Sequence, residues 1–189
     1  MPEKLSQLDQ QQLLSVARAA VEATANNQPL PQIDLDQYSQ ILKDEGASFV
    51  TLMLDGKLRG CIGTLEAYQP LILDVQSRAV QAASKDPRFS PVRPEETARI
   101  KIEISRLTQP VPLEYDHPKD LVTLLRPGVD GVVISEGHRR ATFLPQVWDD
   151  LPEPKQFIAQ LCRKMGCSPG YWEHKLLEVE TYQVEEFSE

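Results

Sequence analysis

The sequence predicts an α+β fold in which helices flank a mostly antiparallel sheet. Two hairpin patterns, one strictly alternating strand and several helical patterns follow one another without the regular strand–helix–strand repeat of a parallel sheet. The chain of 189 residues is long enough for one domain, or for one domain with a smaller lobe attached. We therefore expect residues 1–189 to fold as a single domain.

Helical spacing of apolar residues predicts five helices. Long patterns cover residues 6–26, 70–86 and 152–166, and shorter patterns cover residues 36–46 and 118–125. Ser6 and Asp9 form a capping pattern at the start of the first helix. Gly46 is expected to cap the end of the second helix, and Gly166 is expected to end the last one.

Alternating apolar and polar residues, bounded by turn residues, predict strands at residues 47–54, 57–65, 99–107, 130–135, 139–144 and 176–187. The first hairpin has the clearest pattern, because Asp55 and Gly56 suit a tight two-residue turn. The last strand carries acidic residues on its outward side, which is typical of the edge of a sheet.

Charge and cysteine content restrict the function. With 20 basic and 28 acidic residues the net charge is -8, so we expect neither nucleic acid nor a membrane as a partner. Residues 85–106 carry a local excess of basic residues, which is either a solvated face or an anion pocket. The N-terminus lacks a signal-peptide pattern, and the 3 cysteines fit reduced thiols, so a cytoplasmic protein is expected.

The segment from Met53 to Glu66 places an arginine, a cysteine and glycines where a hairpin normally holds packing residues. In an extended strand, Arg59 and Cys61 share a face, with Cα atoms about 7 Å apart. A guanidinium at that distance would favour the charged thiolate of Cys61. The alternative is that Cys61 is a small buried hydrophobic residue. The glycines of this strand indicate close approach by a ligand or by another backbone, or else a β-bulge.

Six segments carry a resemblance to a known family, and they read, in order, LRGCIGTL, AASKDPRFSPV, IKIEISRLTQPVPL, RPGVDGVVIS, TFLPQVW and FIAQLCRKMGC. Together, from about Phe49 to Phe187, they resemble the AMMECR-type domain family, whose bacterial members are called AmmeMemoRadiSam system protein A. The resemblance implies a larger and a smaller lobe, with the LRGCIG segment facing a cleft between them. It also implies Memo-like and radical S-adenosylmethionine proteins as partners. It supplies no reaction, because the activity of the family is not established.

The resemblance also implies a set of site residues. The catalytic candidates are Cys61, Arg59 and Glu103, and the ligand-binding candidates are Gly60, Gly63, Asp86, Arg88, Phe89 and Gln146. In this set Cys61 is the thiol and Glu103 a base. The alternative for Arg88 is an ordinary salt bridge to Asp86 or Glu103.

Neither a metal site nor a cofactor is expected. The three histidines lie far apart in the sequence, and Cys162 with Cys167 forms a single pair without a second pair of ligands. Two functions stay open. One is a binding or adaptor domain that receives a peptide or a small anionic ligand, and it is favoured as the more general statement. The other is a thiol-dependent enzyme in which Arg59 activates Cys61 toward a small anionic substrate or a protein side chain.

Overall fold

Two antiparallel sheets with flanking helices make up the structure, a computed structural model that describes residues 4–189. The predicted α+β class is confirmed. The chain forms two compact units. The first comprises the residues up to Thr108 together with Glu185–Glu189, and the second comprises Gln109–Val184.

The helices and strands lie along the chain in the order α1 (Gln7–Ala25), α2 (Gln40–Lys43), β1 (Ala47–Leu54), β2 (Lys57–Gly63), α3 (Leu71–Ser84), β3 (Ile100–Leu107), β4 (Val111–Pro112), α4 (Leu121–Leu124), β5 (Gly131–Glu136), β6 (Arg139–Phe143), α5 (Val147–Asp150), α6 (Pro154–Lys164), β7 (Glu178–Tyr182) and β8 (Val184–Ser188). Short 3₁₀ helices lie at Leu35–Gln37, Pro94–Arg99, Pro118–Asp120 and Tyr171–Glu173. No helix within residues 4–189 is long and apolar enough to cross a membrane.

The first unit is built on a four-stranded sheet with the strand order β2-β1-β3-β8. Alternate residues of the two central strands are fully buried with residues of α1 and α3 in one core, namely Val50, Leu52, Ile102 and Ile104. The period of two in this burial is what the alternating sequence predicts. Helix α1 begins with the predicted capping box, in which the Ser6 side chain accepts from the Asp9 backbone and the Asp9 side chain accepts from the Ser6 backbone.

The helix predicted over residues 36–46 is wrong in length and in its cap. A 3₁₀ turn at Leu35–Gln37 and the short α2 take its place, and α2 ends at Lys43 with Asp44 as its C-cap. Gly46 is not in the left-handed conformation of a helix cap, and a Cβ there would lie 2.8 Å from the Leu71 Cβ. This glycine is therefore explained by the close approach of the start of α3.

The single edge strand predicted over residues 176–187 is also wrong. The segment forms two strands, β7 and β8, which belong to different sheets. Strand β7 lies between β4 and β5 in the second sheet, and β8 lies beside β3 at the edge of the first. The buried Val179 and Tyr182 are three residues apart, so the period of two breaks just before the chain changes sheet near Gln183.

The second unit is built on a four-stranded sheet with the order β4-β7-β5-β6. The rings of Trp148 and Phe157 stack in its core with centroids 3.7 Å apart. The indole N–H of Trp148 donates to the carbonyl of Asp130 over 2.7 Å, so the buried polar atom is satisfied. The chain leaves α6 through Gly166, whose φ of 86° confirms the predicted glycine at the helix end.

Candidate functional site

The hairpin of β1 and β2 contains a bulge at the motif that the sequence singles out. Asp55 and Gly56 form the turn with φ values of 51° and 77°, as a tight two-residue turn requires. The register runs regularly to the pair of Met53 and Leu58 and then shifts, so that Leu52 faces Gly60 and Arg59 is the extra residue. The alternative that this strand holds a β-bulge is confirmed.

The bulge overturns the predicted pairing of Arg59 with Cys61. After the shift Cys61 lies opposite Thr51, and Gly60 lies opposite the buried Leu52. The guanidinium of Arg59 makes no hydrogen bond to the Cys61 thiol. An inserted residue breaks the alternation of faces, which is the physical reason for the error.

Arg59 binds the segment that follows α3 and precedes β3. Its Nε and Nη2 donate to the two carboxylate oxygens of Glu96, both over 3.0 Å. Its Nη1 donates to the carbonyl of Ser90 over 2.9 Å and its Nη2 to that of Pro91 over 3.2 Å. The guanidinium holds the pKa of Glu96 below its usual value. The Arg59 side chain is 11% exposed, and its hydrogen bonds hold β2 against this segment.

Asp86 ties the Cys61 backbone to the turn after α3. Its carboxylate is 4% exposed and accepts the N–H of Cys61 over 2.9 Å. Arg88 donates to it from Nη2 over 2.7 Å, from Nε over 2.9 Å and from its own backbone N–H over 3.1 Å. These bonds lower the pKa of Asp86, and the bond from the Arg88 side chain has the largest effect. The carboxyl is therefore ionised at neutral pH. The salt-bridge alternative for Arg88 is confirmed, with Asp86 as its partner.

Asp86 and Arg88 bind backbone groups at the open edge of the first sheet. Strand β2 is the outer strand of the first sheet within residues 4–189, so the backbone groups of Cys61 that point away from β1 need other partners. Asp86 accepts the N–H, and Arg88 Nη2 lies 3.4 Å from the carbonyl oxygen. The Asp86–Arg88 pair therefore occupies the position that a further strand would take.

The thiol of Cys61 has a partner that the sequence did not indicate. The hydroxyl of Thr51 lies 3.2 Å from Cys61 Sγ and donates to it. Because the backbone of Cys61 bonds outward, it forms a non-hydrogen-bonded pair with Thr51, in which side chains approach most closely. The Thr51 hydroxyl is therefore a hydrogen-bond donor positioned on the Cys61 sulfur.

Protein atoms fill the space beside the two predicted ligand-binding glycines. A Cβ on Gly60 would lie 2.3 Å from the carbonyl oxygen of Ala82 in α3. A Cβ on Gly63 would lie 2.2 Å from the ring of Phe49 on the neighbouring strand. The approach of another backbone explains Gly60, and the aromatic ring explains Gly63.

Of the remaining predicted site residues, Glu103 lies apart from the thiol. Glu103 lies opposite Thr51 on the far side from Cys61, so two strand spacings, about 10 Å, separate the backbones of Glu103 and Cys61. Gln146 is an exposed residue of the second unit, at the start of α5. Phe89 lies under the Arg88 guanidinium, 5.4 Å from its ring centroid.

An open pocket of about 420 Å³ lies next to the Arg59–Glu96 pair. Its lining residues come from β2 and from the segment after α3, namely Arg59, Phe89, Ser90, Arg93, Glu95 and Glu96. Arg93 is exposed, and the exposed Lys85 and Arg88 lie on the same segment. Among residues 4–189 no group of three or more histidine, cysteine or acidic side chains is arranged to hold a metal ion. The site is therefore an open polar pocket whose lining carries two arginines and two glutamates, with further exposed cations on the same segment.

Comparison with known proteins extends over both units. The family model AMMECR1 matches residues 14–187. A protein of Methanothermobacter thermautotrophicus is 37% identical over 193 residues, covering 98% of this chain and 96% of the relative. A protein of Methanocaldococcus jannaschii is 35% identical over 180 residues, covering 92% of this chain and 86% of the relative. The crystal structure of an uncharacterised protein from Pyrococcus horikoshii is similar with a TM-score of 0.72 and 30% identity, covering 94% of this chain and 89% of that one.

Proposed function

The chain belongs to the AMMECR1 family, and from that premise we propose that its first unit is a binding module whose pocket beside β2 receives an acidic segment of a partner protein. Membership of the family supplies no activity. The proposal therefore rests on what the groups of the LRGCIG segment and its neighbours are bonded to.

The bonding of Arg59 is the observation that carries the proposal. Its guanidinium makes four hydrogen bonds to protein atoms, and both carboxylate oxygens of Glu96 are among the acceptors. A guanidinium used in this way fixes the wall of the pocket and does not activate a thiol. A rigid wall favours binding, because less conformational freedom is lost when the partner docks.

The charges around the pocket favour an acidic partner. Lys85 and Arg93 are exposed on one segment of a chain whose net charge is -8, and Arg88, which is also exposed on that segment, is paired with Asp86. Of the two acidic residues in the lining, Glu96 is already paired with Arg59. An acidic peptide would be steered to this surface and would be repelled by most of the remainder.

The Memo-like and radical S-adenosylmethionine proteins are the partners that we propose to test. They come from the resemblance of the motifs to the AmmeMemoRadiSam system. Each purified protein from the same organism would be titrated into this chain by calorimetry, with the parent, Arg93→Glu and Lys101→Glu compared. Lys101 is an exposed residue of β3 outside the lining of the pocket, so it controls for a general effect of charge reversal.

Binding by the parent and by Lys101→Glu, together with about tenfold weaker binding by Arg93→Glu, supports the proposal. Failure of both partner proteins to bind, or equal loss in the two variants, refutes it. A titration with inorganic phosphate separates a site for a small anion from a site for a protein segment, because only the former would bind phosphate at the same pocket.

A thiol-dependent enzyme centred on Cys61 is the second candidate. It is supported by the donor bond from the Thr51 hydroxyl to Sγ and by the half-exposed Arg88 guanidinium near the Cys61 backbone. Cys61 has no general base at hydrogen-bond distance among the described residues, and Glu103 lies two strands away. For these reasons the binding function ranks first.

A further inference from the structure

The last two cysteines lie together at the end of α6, in the second unit. The N–H of Gly166 donates to the carbonyl of Arg163 and the N–H of Cys167 to that of Cys162, both over 2.9 Å. These two bonds, with Gly166 left-handed, form a Schellman motif. A contact between the side chains of the two residues joined by the outer bond frequently accompanies this motif. Here both residues are cysteine, and Cys167 packs against the core cluster that contains Cys162.

The two thiols have different surroundings. Cys162 is 0% exposed and lies within the core of the second unit, and burial raises the pKa of its thiol. Cys167 is partly exposed and packs against the same core. The geometry therefore provides one accessible sulfur and one buried sulfur.

The guanidinium of Arg139 contacts the sulfur of Cys167. Arg139 Nη1 donates to Cys167 Sγ over 3.0 Å. Glu136 holds this guanidinium through a bond of 3.2 Å to Nη2, and the ring of Tyr171 lies below it at 5.7 Å. A guanidinium held at hydrogen-bond distance faces the negative charge that the Cys167 sulfur carries when it attacks a disulfide. The pairing of arginine with cysteine that the sequence suggested for β2 is thus found at Cys167.

We propose that Cys162 and Cys167 are a redox pair that a small-molecule disulfide converts to an intramolecular disulfide. The Cys167 thiolate attacks one sulfur of the oxidant, a bond forms between them, and the other half of the oxidant leaves as a thiolate. The Cys162 sulfur then attacks Cys167 Sγ and releases the second half, and the proton of the Cys162 thiol passes to that departing thiolate. The protein loses two hydrogens and two electrons, and the oxidant takes them up as two thiols.

The backbone geometry suits this product. A disulfide needs Cα atoms about 4.4 to 6.8 Å apart, and residues joined by a direct backbone hydrogen bond of 2.9 Å are held near that range. The two cysteines lie in the second unit, and their reaction involves neither Cys61 nor the pocket beside β2. This proposal can therefore be tested independently of the proposed function.

Incubation of the folded full chain with oxidised glutathione, followed by alkylation and tryptic mapping, tests the proposal. Trypsin cleaves after Arg163 and Lys164, which lie between the two cysteines, so the disulfide joins two peptides that are otherwise separate. We expect this linked pair in the parent and in Cys61→Ser. Absence of the linked pair at every ratio of oxidised to reduced glutathione overturns the proposal.

Variants test the order of the steps. Cys162→Ala is expected to stop with one glutathionyl group on Cys167, and Cys167→Ser is expected to leave Cys162 unmodified while the protein stays folded. Arg139→Gln is expected to slow the reaction about fivefold or more, whereas Arg140→Gln, on the same strand, is expected to react like the parent. Equal slowing in both arginine variants, or first reaction at Cys162, contradicts the mechanism.

Discussion

Replacement of Gly60 by alanine tests the packing of β2 on α3. The added Cβ would lie 2.3 Å from the carbonyl oxygen of Ala82, whereas ordinary contacts begin at 3.4 Å. The strand and the helix must therefore separate by about 1 Å. Strand β2 is held by β1, and α3 is packed in the core of the first unit, so neither moves freely.

The expected cost is that of overpacking, about 1 to 3 kcal/mol, reduced by about 0.5 kcal/mol because alanine restricts the unfolded chain. Gly170→Ala is the matched control, since no atom lies within 4 Å of its added Cβ and its φ of -88° suits alanine. The control is expected to be neutral or slightly stabilising.

The assay has to report on the first unit. Both tryptophans, Trp148 and Trp172, lie in the second unit, so their fluorescence would miss a local effect. Amide hydrogen exchange of β2 and α3, with urea unfolding followed by circular dichroism, measures the change directly. Unchanged exchange protection in Gly60→Ala would refute the packing argument and would return Gly60 to the list of ligand-binding residues.

Three further predictions concern the bonds around Cys61. Asp86→Asn is expected to cost about 1 to 3 kcal/mol at pH 7, measured by urea unfolding, because the bonds to Arg88 lose their charge. The pKa of Asp86 is lower in the folded state, so its contribution is complete above the ordinary value of 3.8 and disappears as the pH falls through the folded value; a gap between parent and variant that stays constant at low pH would contradict this. Thr51→Val is expected to slow alkylation of Cys61 about fivefold, equivalent to ~1 kcal/mol, because it removes the hydroxyl donor and keeps the shape. Arg59→Ala is expected to speed hydrogen exchange in the segment from Ser90 to Glu96 while the alkylation rate of Cys61 stays unchanged, and a slower alkylation would revive the pairing of Arg59 with the thiol.

The sequence was sufficient for the elements that depend on local patterns. The capping box at Ser6, the turn at Asp55 and Gly56 and the glycine after α6 each follow from a few neighbouring residues. Gly46 was misassigned because the atom that requires a glycine there belongs to Leu71, far along the chain. Local rules cannot find such a contact.

A conflict in the sequence pattern of the hairpin indicates the bulge at Arg59. An unbroken hairpin around Asp55 and Gly56 would place Arg59 opposite Leu52, on the face that packs into the core. A charged side chain on a buried face conflicts with the pattern of β1, and an inserted residue resolves that conflict. The conflict indicates an inserted residue near Arg59, whereas the register, and with it the pairing of Cys61 with Thr51, is seen only in the folded chain.

The ion pairs of the site could not be predicted in the same way. Arg59 and Glu96 are 37 residues apart, and the bond from Cys61 to Asp86 spans 25 residues. The sequence contains several acidic residues after α3, and only the folded chain selects which of them each arginine meets. The structural role of Arg59 therefore became visible only with the tertiary structure.

A comparison of Cys61→Ser with Arg93→Glu tests the central claim most directly. The affinity of each variant for a partner protein that binds the parent would be measured by calorimetry. The account predicts parental affinity for Cys61→Ser and about tenfold weaker binding for Arg93→Glu, because the exposed cation rather than the thiol meets the partner. Loss of binding in Cys61→Ser with full affinity in Arg93→Glu would contradict it and would favour chemistry at the thiol.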